Sequence, residues 1–138
     1  MKRKVLATLL SFFLLVELLP VKSLAVPLGT GSGLAADDPM VVPEAGLEIS
    51  GSILKGISQD WLNANKPADG STFYIKVEVS ESITELGDGF GGFRLGTGYD
   101  LQMDFSQASK LKEINNQAFM YATALRGELD LSGTQVSV

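Results

Sequence analysis

The chain has 138 residues, 45% of them apolar, with 11 Lys and Arg against 16 Asp and Glu, no His and no Cys, and a formal net charge of −5 at pH 7. Without His or Cys there is no disulfide framework, no thiolate zinc site and no Ser-His or Cys-His nucleophile, so only carboxylate or lysine chemistry stays open. An acidic chain also repels nucleic acid and anionic lipid instead of exchanging counterions with them, so no nucleic-acid partner is expected.

Met1-Lys2-Arg3-Lys4 form a positive start, and Val5 to Leu19 are almost wholly apolar, interrupted only by Thr8, Ser11 and Glu17. That is the layout of a secretory signal peptide. Pro20 ends the stretch, and Ser23-Leu24-Ala25 puts small residues where a signal peptidase reads. Residues 1–25 are therefore expected to be removed by cleavage between Ala25 and Val26. The apolar stretch is shorter than the roughly 20 residues a helix needs to cross a bilayer. No membrane span is expected after removal, and the lack of Cys excludes a lipid-modified cysteine. The removed segment carries four basic residues and one acidic, which leaves seven basic against fifteen acidic and a net charge of −8. The expected location is secreted or at the cell surface.

Residues 26–46 are rich in Gly, Pro, Ala and Ser, with Gly29-Thr30-Gly31-Ser32-Gly33 and Asp37-Asp38-Pro39 as turn signals, and predict a flexible leader. Residues 47–72 predict a β-rich capping segment. Leu47 and Ile49, then Ile53 and Leu54, flank Ser50-Gly51-Ser52 as the two arms of a hairpin would. Residues 58–65 predict one or two helical turns, with Ser58 or Asp60 as N-cap, Pro67 as the stop and Trp61 as a core anchor.

From residue 73 the sequence repeats. Val77-Glu78-Val79-Ser80, Met103-Asp104-Phe105-Ser106 and Leu129-Asp130-Leu131-Ser132 follow one another at an offset of 26. Phe73, Tyr99 and Leu125 keep the same offset, as do Gly92-Phe93 and Ala118-Phe119. A period of this length is the mark of stacked supersecondary units. Each unit opens with an apolar-polar-apolar triplet, the alternation of a half-buried strand. Ile83 with Leu86 and Leu111 with Ile114 fall 28 apart, so the units are unequal between their ends. The expected repeat core is Val77, Val79, Phe93, Met103, Phe105, Leu111, Ile114, Phe119, Leu125, Leu129 and Leu131, with Phe119 against Met103 and Phe105.

The run from Leu111 to Leu131, LKEINNQAFMYATALRGELDL, resembles the BspA-type bacterial leucine-rich repeat. In that family a leucine and an isoleucine precede a polar loop, an Ala-Phe pair and a Thr-x-Leu step into the next strand. Leu111, Ile114, Ala118, Phe119, Thr123 and Leu125 fill those places, and Ala122 stands where the family usually has Cys. The unit from Val77 to Tyr99 matches at Val79, Ile83, Leu86 and Phe93 and departs in its Gly-rich loop. The resemblance implies an α/β fold, a leucine-rich-repeat solenoid of short parallel strands over 73–138, with about two units and the start of a third. It also implies an exported surface protein that mediates attachment.

Gly87-Asp88-Gly89-Phe90-Gly91-Gly92 matches G-x-G-x-x-G formally, but no helical period or suitably spaced acid follows, so no cofactor is expected. The glycines read instead as a loop that needs positive φ. Glu78, Asp104 and Asp130 share one column of the repeat and are expected to form a carboxylate ladder on adjacent strands, about 4.8 Å apart. Such a ladder is either solvated or holds a cation or a basic partner, and it marks the expected binding face. The spacing has no compact calcium-loop pattern, so no metal is expected.

These features together predict an exported module for binding a protein or cell-surface partner, without catalysis. Two alternatives stand beside it. One is a truncated or capping fragment of a larger repeat protein without activity of its own, because the third unit is incomplete at Val138. The other is a glycan hydrolase using paired carboxylates.

Overall fold

The computed structural model of the chain describes residues 31–92 and 94–137. The expected signal peptide, its cleavage point at Ala25 and Val26, and Phe93 lie outside the described residues.

Seven strands, one short α-helix and one turn of 3-10 helix at Glu44–Gly46 make up the regular structure among the described residues. Strands β1 (Met40–Val41), β4 (Phe73–Glu78) and β6 (Tyr99–Asp104) form one sheet in the order β1-β4-β6, parallel throughout. Strands β2 (Leu47–Ser50), β3 (Ile53–Ile57), β5 (Glu85–Gly89) and β7 (Glu113–Ile114) form the other in the order β2-β3-β5-β7. There β2 and β3 are antiparallel, and β3, β5 and β7 run parallel.

Local sequence explains most of these elements. β4 alternates: Phe73, Ile75 and Val77 are buried while Tyr74, Lys76 and Glu78 face outward, the period-two pattern of a strand with one wet face. β6 repeats it, with Leu101 and Met103 inward. Ser50 pairs with Ile53 across the two-residue turn Gly51-Ser52, and Gly51 has φ +63°. A positive φ at the first central residue alone is the pattern of a type II′ hairpin turn. Helix α1 (Gln59–Asn65) starts at Ser58, whose hydroxyl accepts the Trp61 N–H at 3.4 Å. It stops at Lys66, which is extended because the ring of Pro67 disfavours helical backbone before it. Trp61 is half-buried and stacks on Phe73 with ring centroids 6.0 Å apart.

One hydrophobic cluster takes residues from both sheets, among them Ile75, Val77, Leu101 and Met103 from the first and Leu54 and Leu86 from the second. Of the residues expected in the repeat core, Val77, Val79, Met103, Phe105 and Leu111 are buried. Ile114, Phe119, Leu125, Leu129 and Leu131 are partly buried against that cluster. The ring contact of Phe119 is with Phe90, at a centroid distance of 6.3 Å, and Phe90 is itself fully buried.

The expected α/β leucine-rich-repeat solenoid is not the fold. Among the described residues the fold is mostly β, two open sheets with a single short α-helix, and no unit reproduces the one before it. The pairing offset is 26 between β4 and β6, 28 between β5 and β7, and 24 at the bridge of Leu101 with Leu125. The cause is unequal return segments: 15 positions separate Leu86 from Leu101, but 11 separate Ile114 from Leu125. The expected pairing of Tyr99 with Leu125 therefore slips by two, and Leu129, Asp130 and Leu131 form no strand.

Two further expectations change. Of the segment expected to be a flexible leader, residues 31–46 are described and take part in the fold. β1 pairs with β4 through Met40 and Val41, Val42 is buried, and the Gln102 amide donates to the Ala36 carbonyl at 3.1 Å. The Gly-rich run is a strand at Gly87 and Gly89, with no positive φ in it. Its glycines are needed for close approach: a Cβ on Gly89 would lie 1.9 Å from the Lys55 carbonyl oxygen, and one on Gly92 2.0 Å from that of Tyr121.

Candidate functional site

The outer face of the first sheet holds the polar residues that strand alternation turns away from the core. Register pairing sets Tyr74 beside Asp100, Lys76 beside Gln102 and Glu78 beside Asp104. The Lys76 ammonium lies between two carboxylates, 3.0 Å from Glu78 Oε1 and 2.9 Å from Asp104 Oδ2. Lys76 is raised above its ordinary pKa, chiefly by the hydrogen bond to Asp104 and then by that to Glu78. Further along the face, Arg126 Nε reaches Asp100 Oδ2 at 2.7 Å, and the guanidinium sits 5.7 Å above the Tyr74 ring.

Asp104 closes a turn as well as an ion pair. Its Oδ1 accepts the Ser106 N–H at 2.9 Å, so the side chain imitates a backbone turn where β6 ends. This bond, then Lys76, holds the Asp104 carboxyl down at about 2. Asp130 is built alike, with Oδ1 accepting the Ser132 N–H at 3.0 Å. Asp130 is lowered too, by its bonds to the Ser132 hydroxyl and N–H. The Asp-x-Ser spacing of the repeat is therefore the spacing of an Asx-turn, and Glu78, one carbon longer, makes no such bond to Ser80.

A groove of about 440 Å³ lies beside β6, lined by residues 102–106 and by residues 128, 130, 132 and 133. Lys76 lines it as well. The groove exists because the chain leaves the sheet. Leu101 N–H donates to Ala124 and the Leu101 carbonyl accepts from Arg126, but Gly127 has φ +81° and residues 128–131 form no strand beside Met103.

Of the three expected ladder residues, Glu78 and Asp104 are register neighbours. Asp130 is not on a strand, so the three-rung ladder is not formed. Asp130 instead lines the same groove as Asp104. The ladder's repulsion is met by an intrachain cation, Lys76, two residues before Glu78 and hence on the same face. That residue was readable from strand alternation. Glu128 and the groove itself were not, since both depend on where the chain departs from β6.

Chemically, the site offers three carboxylates, Asp104, Glu128 and Asp130, against one ammonium. A general acid in a glycosidase needs a raised carboxyl pKa, whereas Asp104 and Asp130 are both lowered. Among the described residues, no group of three or more His, Cys, Asp or Glu is placed to hold a metal ion. Among the same residues, no helix is long and apolar enough to cross a membrane.

Comparison of the chain with protein-family models, with curated proteins and with solved structures finds no match.

Proposed function

We propose that the chain is an exported, non-catalytic binding module whose ligand face is the acidic groove beside β6. The observation that carries the reading is the groove itself, concave and lined by Asp104, Glu128 and Asp130. Two of these carboxylates, Asp104 and Asp130, are held below the ordinary carboxylate range by their bonds to Ser106 and Ser132. Preset anionic groups steer and orient a cationic partner, and their effect lies mainly in association rate and specificity. A protein or a cell surface carrying exposed basic residues is the matching partner. The apolar, cation-led start of the sequence supports export. The likeness of residues 111–131 to a repeat found in surface attachment proteins supports the binding role.

Binding of the purified, processed chain to intact cells tests this reading. Saturable binding is expected, weakened by salt within the range where the Debye length falls from about 10 to 3 Å. The double change Glu128→Lys with Asp130→Lys is expected to reduce it strongly, because both residues are exposed and their reversal leaves the core untouched. Binding that does not saturate, or that ignores the charge reversal, would overturn the assignment.

A further inference from the structure

Main-chain groups on β6 divide by parity. The Gly98 carbonyl accepts from Phe73 and the Asp104 carbonyl from Val79, so even-numbered residues face β4. Odd-numbered residues face the groove. Leu101 on that side is paired with Ala124 and Arg126, and the Phe105 carbonyl accepts from Ala108. Met103, between them, has its N–H and carbonyl aimed at the groove, with no partner for either among the described residues. Open strand edges of this kind template the addition of another strand, and folded proteins usually cover, charge or bulge them. Here the edge is open at the point where the acidic groove begins.

We propose that the groove takes a short, extended, basic peptide segment of a partner protein, which adds as a strand to β6 at Met103. The proposal rests on the binding reading above and specifies its ligand. Charge complementarity selects the occupant. A strand laid about 4.8 Å from β6 sends alternate side chains to the outer face, where Asp104 stands with Asp130 lining the same groove, and the others to the inner face, on the side of the buried Met103 and Phe105. A segment alternating Lys or Arg with a β-branched residue meets both requirements. Main-chain bonds to Met103 supply affinity without regard to side chain, and the carboxylates supply the preference for cations. Because Leu101 and Phe105 already use main-chain groups on that side, the added strand is only a few residues long and exchanges quickly.

The probes are a capped Lys-Val-Lys-Val-Lys-Val hexapeptide, its fully N-methylated form and a Glu-Val counterpart, added to the chain lacking residues 1–25. The Lys-Val peptide is expected to bind and to slow hydrogen exchange at the Met103 amide at least about tenfold. N-methylation, which removes the peptide's donors, is expected to weaken binding by about tenfold or more, a change of about 1.4 kcal/mol. The Glu-Val peptide is expected not to bind. In the Glu128→Lys, Asp130→Lys variant the Lys-Val peptide is expected to lose affinity while circular dichroism stays unchanged. Equal binding of the N-methylated peptide would overturn the proposal in favour of charge attraction alone. Absence of Lys-Val binding at millimolar peptide, or binding without protection of Met103, would also overturn it. Peptide failure alongside saturable cell binding rejects strand addition and leaves the binding module. Peptide binding without cell binding does the reverse.

Discussion

Asp104 shows how one side chain reconciles two demands. Its neighbour across the strands is another carboxylate, Glu78, and that pairing alone would destabilise the sheet. Lys76 at 2.9 Å and the Ser106 N–H at 2.9 Å outweigh it. The sign of a substitution follows from that comparison. Asp104→Asn keeps an oxygen for the Ser106 bond but loses the ion pair with Lys76, so it destabilises the protein at pH 7. The pair is part-exposed, so the loss is only about 0.2–1 kcal/mol after solvent screening. The folded carboxyl sits at about 2 against an ordinary 3.8, so its contribution is complete above 3.8 and disappears as pH falls toward 2. Denaturant titrations of both proteins at pH 7 and pH 2 check this. Equal midpoints at pH 7 would show that Lys76 does not bridge the strands.

At the scale of elements, β5 carries the sharpest demand on sequence. Glu85–Gly89 lies between β3 and β7, and Gly56 pairs with Gly89 where the register shifts. A methyl group at Gly89 would overlap Lys55 main chain, which has no flexible end to move aside. Gly89→Ala is therefore expected to destabilise by several kcal/mol, in the upper range for overpacking, about 3 kcal/mol or more. Gly96→Ala is the control, since nothing lies within 4 Å of its added Cβ and its φ is not positive. That variant is expected to stay within about 1 kcal/mol of the parent. Thermal unfolding of the two variants decides, and equal behaviour would mean that β3 and β5 do not approach as described.

At the scale of the whole molecule, export is the property on which the functional reading depends. Replacing Leu14 and Leu15 with Asp puts two charges into the apolar stretch Val5 to Leu19 and is expected to leave the chain unprocessed inside the cell. Immunoblotting of cell and medium fractions, with the mass of the exported form, reads the outcome. A mature form outside the cell in that variant would remove the signal-peptide assignment.

How much was legible in the sequence differs between the two sheets. In the first, β4 and β6 were visible because alternation and a constant offset are local signals: Val77 to Met103 is 26 residues in the sequence and one rung in the sheet. The Ser58 cap, the Pro67 stop and the turn at Gly51 were visible for the same reason. In the second, β5 reads as loop because Gly87 and Gly89 have poor strand propensity. They belong there only because Lys55 and Gly56 pass so close. The composition and order of residues by themselves determined an acidic chain without thiols or imidazoles, the outward Glu78 and Asp104, and the alternating core of the first sheet. Only the tertiary structure decided that the pairing at Leu125 slips by two, that Lys76 joins two carboxylates and that Asp130 and Asp104 line one groove. It also decided that Met103 stands at an open edge. These depend on the lengths of the return paths between sheets, and a path four positions shorter shifts a register without leaving any local mark in the residues it displaces.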